Sequence, residues 1–266
     1  MAFERINRAD DPRIVPYRDM SDPDLMRSLG VFVAEGRLVV QRAIDDGGYR
    51  VRSVLVNEAA RRSLAPTLDA VATQAPVYVC EARDFLGITG YNMHRGCLAI
   101  IERPPPRSIE AVLAGARTIV VLEDVSNADN VGGVFRNAAA LGADGVVLSP
   151  TCCDPLYRKA IRTSMAAVLR VPFVCADQWP GALARIRTAG FTIVALTPQE
   201  GSETLDAFGS RPRPDRIALV AGNEGGGLTH DVEAMADHRV RIPISDRVDS
   251  LNLAVAVGIA LYRLLP

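Results

Sequence analysis

Short apolar runs alternate with helical patterns along most of the chain. Six β-branched runs occupy its C-terminal part: TIVVLEDV, DGVVLS, VPFV, FTIVALT, RIALVAG and HRVRIPI. Segments of helical periodicity lie between or after them, at residues 131–141, 157–169, 180–189, 231–236 and 251–265. Strands that alternate with helices predict an α/β fold with a parallel sheet covered on both faces.

The N-terminal part repeats this alternation on a smaller scale. Its apolar runs lie at residues 31–33, 51–56, 77–79 and 97–101, with helix-like segments such as residues 37–46 between them. The segment ERPPPRS at residues 102–108 contains three consecutive prolines, which cannot continue a helix or occupy a central strand. We therefore predict a smaller α/β domain at residues 1–103, a proline-rich linker at 104–110 and a larger α/β domain at 111–266. A second proline-rich segment, GSRPRPDR at residues 209–216, predicts an exposed loop.

Composition adds bounds on the function. The chain has 266 residues, 48% of them hydrophobic, and 30 Lys and Arg against 31 Asp and Glu. With a formal charge of -1, any contact with nucleic acid must come from a local patch. The N-terminus lacks the apolar segment of a signal peptide, and the apolar stretch at residues 251–266 is too short to span a membrane. Scattered cysteines and histidines predict reduced thiols, a cytoplasmic location and no metal site.

Loops that follow the predicted strands are the first places to look for a ligand site, because ligands bind beyond the carboxyl ends of the strands in such sheets. The first unusual loop is EDVSNADNVGGVFRNAAALG at residues 123–142, in which we expect residues 130–133 to begin a helix. Free N–H groups at a helix start can hold an anion, and Arg136 could reach the same anion. The alternative is that Gly132 and Gly133 permit tight helix–sheet packing and that Arg136 is a solvated surface residue.

Two further stretches carry polar residues in unusual settings. LVAGNEGGGL, residues 219–228, places four glycines around Asn223 and Glu224, which can bring backbone groups against a flat ligand. It matches neither a P-loop nor the dinucleotide fingerprint. In the last stretch, residues 242–265, we predict Ser250 as a helix N-cap and Asn252 in the first helical turn. The small residues of this helix offer a surface on which another backbone can pack closely; they are Ala254, Ala256, Gly258 and Ala260.

In this order, the three stretches resemble the three motifs of the SpoU/TrmH-type RNA 2'-O-ribose methyltransferases of the SPOUT class. Asn130, Gly132 and Arg136 match the first motif, N-x-G-x-x-x-R, and residues 222–228 match the second, G-N-E-G-x-G-L. The third motif is matched by Ile242, Pro243, Ser250, Leu251, Asn252, Ala256, Gly258 and Ile259. FVAEGRLV at residues 32–39 and HRGCLAI at residues 94–100 are similar to the family's small substrate-binding domain. One departure is that Ile244, Ser245 and Asp246 follow Ile-Pro, where the family commonly has Met-x-Gly.

The resemblance implies a C-terminal parallel-sheet domain with a deep trefoil knot, a smaller L30e-like N-terminal RNA-binding domain and a homodimer formed through the knotted domain. It implies S-adenosylmethionine as cofactor, RNA as partner, and neither a membrane nor a metal. The cofactor contacts that it implies are Leu196, Thr197, Pro198, Gly222, Asn223, Gly225, Ile242, Ile244, Leu251 and Asn252. The catalytic set that it implies is Asn130, Arg136, Glu224, Ser250 and Asn252. Candidates for RNA phosphate contacts are Arg37, Arg42, Arg50, Arg52 and Arg95, together with Arg136.

The resulting expectation is methyl transfer from S-adenosylmethionine to a ribose 2'-hydroxyl of RNA. A guanidinium stays protonated in proteins, so we expect Arg136 to stabilise the developing alkoxide, with the family's base-like role for this arginine or a base role for Glu224 as the alternatives. The two-domain layout resembles thiostrepton-resistance-type enzymes, which favours ribosomal RNA. The competing functions are a tRNA 2'-O-methyltransferase, a non-catalytic RNA-binding dimer and a nucleotide-dependent oxidoreductase. The sequence lacks the G-x-G-x-x-G fingerprint that the oxidoreductase would need.

Overall fold

A computed structural model describes residues 3–18, 21–46, 48–89, 96–199 and 201–265. The chain divides into two compact units, one of Met1–Pro105 and Leu156–Ala166 and the other of Pro106–Pro155 and Ala167–Pro266. The break at residue 105 lies within the proline-rich segment. The domain roles given to the two parts of the chain remain predictions.

The described residues form twelve strands and twelve α-helices. The strands are β1 (Phe3–Arg5), β2 (Val31–Glu35), β3 (Val51–Asn57), β4 (Val77–Cys80), β5 (Cys97–Glu102), β6 (Thr118–Leu122), β7 (Gly145–Leu148), β8 (Phe173–Cys175), β9 (Thr192–Leu196), β10 (Glu203–Thr204), β11 (Ile217–Ala221) and β12 (His238–Arg241). The helices are α1 (Asp22–Leu29), α2 (Arg37–Asp45), α3 (Glu58–Ser63), α4 (Ala65–Val71), α5 (Ala82–Thr89), α6 (Ile109–Leu113), α7 (Ala128–Leu141), α8 (Arg158–Thr163), α9 (Gly181–Thr188), α10 (Leu205–Gly209), α11 (His230–Ala234) and α12 (Leu253–Leu264). Two 3₁₀ helices lie at Pro12–Tyr17 and Ala167–Leu169.

The first unit is built on a mixed sheet with the strand order β1-β4-β3-β5-β2. Strand β5 runs antiparallel to both of its neighbours, and the other pairs are parallel. Helix α8 belongs to this unit, where Arg158 donates to Asp22 at 2.6 Å and Arg162 donates to Glu35 at 3.1 Å. These pairs, the first of them half-buried, attach a distant part of the chain to α1 and β2.

The long helix predicted over residues 157–169 is wrong. Helix α8 ends at Thr163, and a separate 3₁₀ turn begins at Ala167. Met165 and Ala166 separate them with φ angles of 54° and 68°, in the left-handed region that side chains rarely adopt. No glycine or proline signals this break in the sequence.

The second unit confirms the predicted parallel sheet. Its strand order is β10-β12-β9-β11-β6-β7-β8, and all neighbouring strands are parallel. Every residue of β6 and β11 is buried, as expected for strands covered on both faces. On one face, residues such as Ile119 and Val220 share a core with Val112 of α6, Leu183 of α9 and Val232 of α11.

Helices α7 and α12 pack closely against each other in this unit. A Cβ at Gly133 would lie 2.6 Å from the Cβ of Ala254, and one at Gly258 would lie 2.9 Å from Nδ2 of Asn137. The first distance is too short for a real contact between side chains, so a Cβ at Gly133 would force the helices to shift, whereas a Cβ at Gly258 would displace the side-chain amide of Asn137. Of the four small residues predicted to form a packing surface on α12, Ala254 and Gly258 therefore pack against α7, and Gly133 serves helix–helix packing.

Two predicted details of these helices are wrong. Helix α7 begins at Ala128 after the N-cap Asn127, rather than at residues 130–133. Helix α12 begins at Leu253, and its N-cap is Asn252 rather than Ser250. The side chain of Asn252 accepts a hydrogen bond from the amide of Val255 at 3.2 Å, which satisfies one of the free N–H groups of the first turn.

The predicted exposed loop at residues 209–216 is wrong for two of its arginines. Arg216 is half-buried and donates to the carbonyls of Leu113, Ala116 and Ala189. Arg213 is also half-buried and donates to the carbonyl of Leu264 at 2.8 Å. Desolvation by burial lowers the pKa of Arg213 below its ordinary value. Both guanidinium groups are thus held by backbone carbonyls from distant parts of the second unit.

In the part of the chain that the structure describes, no helix is long and apolar enough to cross a membrane.

Candidate active site

A cavity of about 370 Å³ lies at the carboxyl ends of β9, β11 and β12. This is the edge of a parallel sheet at which ligands bind. Among the residues that line it are nine of the predicted cofactor contacts: Leu196, Thr197, Pro198, Gly222, Asn223, Gly225, Ile242, Ile244 and Leu251. Glu224 and Ser250 of the predicted catalytic set line it as well, whereas Asn130, Arg136 and Asn252 are not among its lining residues. Both Ile242 and Ile244 border the cavity although the family's Met-x-Gly is replaced after Ile-Pro.

The glycine-rich loop after β11 folds back tightly on itself. A Cβ at Gly222 would overlap the carbonyl oxygen of Gly227 and lie 2.7 Å from the amide nitrogen of Leu228. Asn223 fixes the loop from within, because its Oδ1 accepts a hydrogen bond from the amide of Gly225 at 2.7 Å. The same side chain donates through Nδ2 to the carbonyl of Asp124 at 2.9 Å. The sequence around Gly222 thus builds a closely folded wall of the cavity.

The three motifs meet at Asn252. Its Nδ2 donates to Oδ1 of Asn130 at 2.8 Å and to Oε1 of Glu224 at 3.0 Å, while its Oδ1 caps α12. Oε1 of Glu224 also accepts from the amide of Leu253 at 3.5 Å. Side chains from α7, from the loop after β11 and from the start of α12 therefore form one hydrogen-bonded array, which we call the Asn–Asn–Glu array.

Arg136 stands outside this array. It is exposed on α7, two turns after the helix start, and it has no hydrogen bond or ion pair with any described residue. The next residue of α7, Asn137, donates to the carbonyl of Ala254 of α12 at 2.6 Å. Asn130 and Asn137 are seven residues apart and share the face that contacts α12. Arg136 lies beside that face, free to meet a ligand from solvent.

The predicted anion cradle at residues 130–133 is wrong. The amides of Asn130 and Val131 both donate to the carbonyl of Asn127 at 3.1 Å, since they already lie inside α7. They are not free for an anion. At this position Arg136 is also beyond the first turn, in which the helix macrodipole would repel a cation.

Sequence reasoning missed Glu233. This residue of α11 lines the cavity, is only 7% exposed and accepts a hydrogen bond from the hydroxyl of Thr197 at 3.0 Å. A carboxylate in the first turn of a short helix is ordinarily a surface residue, so its residue type gives no signal. Only the fold brings it against the loop that follows β9.

The predicted RNA-contacting arginines of the first unit differ in their settings. Arg37 is half-buried at the first residue of α2, and half-buried Arg42 donates to the carbonyl of Met165 at 2.6 Å. Arg50 and Arg52 are exposed and pair with Glu102 at 3.5 and 3.1 Å. Arg95 lies outside the described residues.

All five cysteines carry free thiols, as the sequence predicts. Burial raises the pKa of Cys80 and of Cys97 to about 12. Burial also raises the pKa of Cys152 above its ordinary value. These three thiols are therefore protonated at neutral pH, in which form they are poor nucleophiles.

Comparisons with known proteins agree with the motifs. Residues 117–262 match the model of the SpoU rRNA Methylase family. The chain is similar to a Mycobacterium tuberculosis protein named an uncharacterized tRNA/rRNA methyltransferase, with 40% identity over 96% of this chain and 88% of that protein. It is similar to the 23S rRNA (guanosine(2553)-2'-O)-methyltransferase of Bacillus subtilis, with 24% identity over 98% of this chain and 99% of that protein. Among solved structures, the AdoMet-bound rRNA methyltransferase of Sinorhizobium meliloti matches with a TM-score of 0.84 and 25% identity, over 98% of this chain and 97% of that one.

Proposed function

Because the chain belongs to the SpoU rRNA methylase family, we propose that it transfers a methyl group from S-adenosylmethionine to a ribose 2'-hydroxyl of RNA. The observation that carries this proposal is the Asn–Asn–Glu array, which joins all three motifs and reaches the cavity through Glu224, with Arg136 exposed on α7. Ribosomal RNA is the favoured substrate, since the similar Bacillus subtilis protein is named for 2'-O-methylation of 23S rRNA.

The cavity fits S-adenosylmethionine in size and charge. Its volume of about 370 Å³ falls in the range of small-molecule sites. Among the described residues that line it, the ionisable ones are Glu224, Glu233 and Asp249, all acidic, which favours a cationic ligand over a neutral one. The backbone that Gly222 leaves open, together with Ile242 and Leu251, would hold the cofactor. When bound, the sulfonium supplies a methyl group already activated for transfer.

Arg136 and Glu224 divide the remaining chemistry. Oxygen–carbon bond formation removes the proton of the 2'-hydroxyl, and a guanidinium does not accept it at neutral pH. Arg136 therefore binds the RNA phosphate and stabilises the charge that develops on the ribose oxygen. Glu224 takes the proton through Oε2, because the donors found for this carboxylate among the described residues all use Oε1. Asn252 positions Glu224, and Asn130 positions Asn252.

A trefoil knot in the second unit is part of the proposal. Strand β11 lies between β6 and β9, which both precede it, so the chain re-enters the centre of the sheet. After β12 the chain continues into α12, which packs on α7 through Ala254 and Gly133. Threading of the segment after β11 through an earlier loop accounts for the way in which these elements form a single cofactor cavity.

The proposed homodimer rests on an apolar stripe of α12. Val255, Ile259 and Tyr262 are 50%, 40% and 78% exposed and share one helix face by their spacing of four and three residues. A second copy of this face is the expected partner. Tyr262→Lys should convert the dimer to a monomer in light scattering; an unchanged mass would remove α12 from the interface.

We propose that the first unit has an L30e-like fold and recognises RNA through Arg37, Arg42 and Arg95. The proposed location of the protein is the cytoplasm. Arg50 and Arg52 are further candidates, because both pair with the single carboxylate of Glu102. The three side chains together keep a net positive charge that can attract a phosphate. Neutralising a phosphate contact lowers the salt slope of binding by about 0.7 to 0.9. If the salt dependence of RNA binding is unchanged in the double variant Arg50→Gln with Arg52→Gln, these two arginines do not contact RNA.

The proposed activity is tested by mapping 2'-O-methyl sites in total RNA from cells with and without the gene. We expect one ribosomal RNA site to lose its methyl group and to regain it when the gene is restored. A lost site in tRNA would redirect the proposal to that substrate. Identical maps would contradict the enzyme assignment and favour a non-catalytic RNA-binding dimer.

A further inference from the structure

One side of the cavity carries a buried carboxylate that the proposed chemistry does not use. Glu233 is 7% exposed, and its one side-chain hydrogen bond with a described residue is the bond that Oε1 accepts from Thr197 at 3.0 Å. Its second oxygen has no donor in the described part of the chain, yet it is not among the buried atoms without a partner. That oxygen therefore faces the cavity that Glu233 lines.

A carboxylate oxygen that faces the cavity without a protein donor needs one from the ligand once the ligand displaces water, so a ligand that donates to it is favoured over one that does not. Thr197 makes the site directional, because its hydroxyl donates to Glu233 and accepts from the amide of Gln199 at 3.4 Å. The carboxylate is held in place before a ligand arrives. This arrangement selects for a hydrogen-bond donor on the ligand.

The position of Glu233 in the fold distinguishes it from the reacting side. Strand β11 separates β9, which leads into Thr197, from β6, which leads into α7 and Asn130. Adjacent strands are about 4.8 Å apart, so the two sides of the cavity are roughly 10 Å apart. A cofactor whose methyl group faces the Asn–Asn–Glu array thus brings its opposite end to Glu233.

The opposite end is the nucleobase rather than the amino-acid tail. An amino-acid tail carries a carboxylate beside its ammonium, and the described residues lining the cavity include no cation that would offset repulsion by Glu233. The nearby lining residues Leu196, Ala221 and Leu228 are apolar, as a flat heteroaromatic ring requires. An adenine ring presents an exocyclic amine, which is a donor of the kind that Glu233 needs.

We propose that Glu233, positioned by Thr197, accepts a hydrogen bond from the 6-amino group of the cofactor base and thereby selects adenine over a 6-oxopurine. This inference rests on the proposed function. A 6-oxopurine places a carbonyl oxygen against the carboxylate, which leaves two acceptors facing each other. Sites built to bind a donor reject analogues that lack it by large factors.

Calorimetry with two product analogues tests the inference without measuring turnover. The wild-type protein should bind S-adenosylhomocysteine at least about 100-fold more tightly than S-inosylhomocysteine, its 6-oxo counterpart. Glu233→Gln keeps an acceptor for Thr197 but can rotate its amide to donate to a 6-oxo group. In this variant the ratio of the affinities for the two analogues should fall at least about tenfold. Asp231→Asn, an exposed change on the same helix, should preserve the preference.

The outcomes separate this inference from the proposed function. Equal binding of the two analogues by the wild-type protein would overturn the role of Glu233 and leave the methyltransferase assignment standing. The same holds if Glu233→Gln keeps the wild-type preference with an unchanged urea midpoint. Failure of the folded wild-type protein to bind either analogue would overturn the proposed function and this inference with it.

Discussion

The two sides of the cavity use their polar groups differently. On the α7 side, exposed Asn252 donates both to Asn130, which is buried, and to Glu224, which is exposed. On the α11 side, Glu233 is buried and keeps one oxygen toward the cavity. A side that must admit RNA is stable without it because its groups satisfy each other, whereas a side that encloses a small ligand can leave an acceptor for that ligand. The comparison predicts that changes on the α7 side affect catalysis and stability, while changes on the α11 side affect cofactor choice.

The largest effect is expected for Arg136, which is exposed on α7 and has no hydrogen bond or ion pair with a described residue. Arg136→Ala should lower the rate of methyl transfer by about 10² to 10³-fold, the loss seen when an electrostatic stabiliser of a transition state is removed. Affinity for S-adenosylhomocysteine and the melting temperature should stay unchanged. Arg136→Lys should retain part of the rate, because it keeps the charge without the bidentate geometry. Near wild-type turnover in both variants would remove Arg136 from the mechanism.

The wall shared by both sides is tested at Gly222. Gly222→Ala places a Cβ against the backbone of Gly227 and Leu228, which must then shift. Such overpacking costs about 1 to 3 kcal/mol, so cofactor affinity should fall roughly tenfold or more. Gly226 has open space around its Cβ position, and Gly226→Ala is the matched control in calorimetry. Equal affinities of the two variants would contradict the close fold of this loop.

Asn252 distinguishes capping from the donor role in the array. Asn252→Ala removes the cap and both donors, and should lower the free energy of unfolding by about 2 to 3 kcal/mol. Asn252→Ser keeps a cap acceptor and should recover about 1 kcal/mol of that loss in urea unfolding. If both variants retain the wild-type rate of methyl transfer, the array does not position Glu224 for catalysis.

The smallest expected effect concerns the packing that supports the α7 side. Gly133→Ala meets Ala254 at 2.6 Å and should cost about 1 to 3 kcal/mol of stability through overpacking. Ala254→Gly added to it should restore most of this loss, because it removes the other methyl group. Gly181→Ala, whose nearest neighbour would be 3.9 Å away, should leave stability nearly unchanged. Additive losses in the double variant would show that the helices do not approach as described.

Much of the second unit is encoded locally and could be predicted. The β-branched runs correspond to strands, because strands of a parallel sheet buried on both faces need continuous apolar residues. Motif spacing brought together Asn130, Glu224 and Asn252, although they are far apart in the chain. Motif spacing does not reveal the hydrogen bonds through which Asn252 joins Asn130 and Glu224.

The features that sequence reasoning missed depend on contacts between distant segments. Ser250 and Asn252 are both good N-caps, and only the bonds from Asn252 to Glu224 and Asn130 distinguish them. Met165 and Ala166 break a helical pattern without glycine, while α8 is held by pairs such as Arg158 with Asp22. Arg216 is half-buried despite its polar, proline-rich surroundings, because three backbone carbonyls converge on it.

The central claim is tested most directly by methyl transfer with purified protein. Tritiated S-adenosylmethionine is supplied with ribosomal RNA and with a matched RNA that has a 2'-deoxyribose at the mapped nucleotide. The account predicts label in the first RNA, recovered as a 2'-O-methylnucleoside, and none at the deoxy position. Label on a base, or equal label in the deoxy RNA, would contradict it.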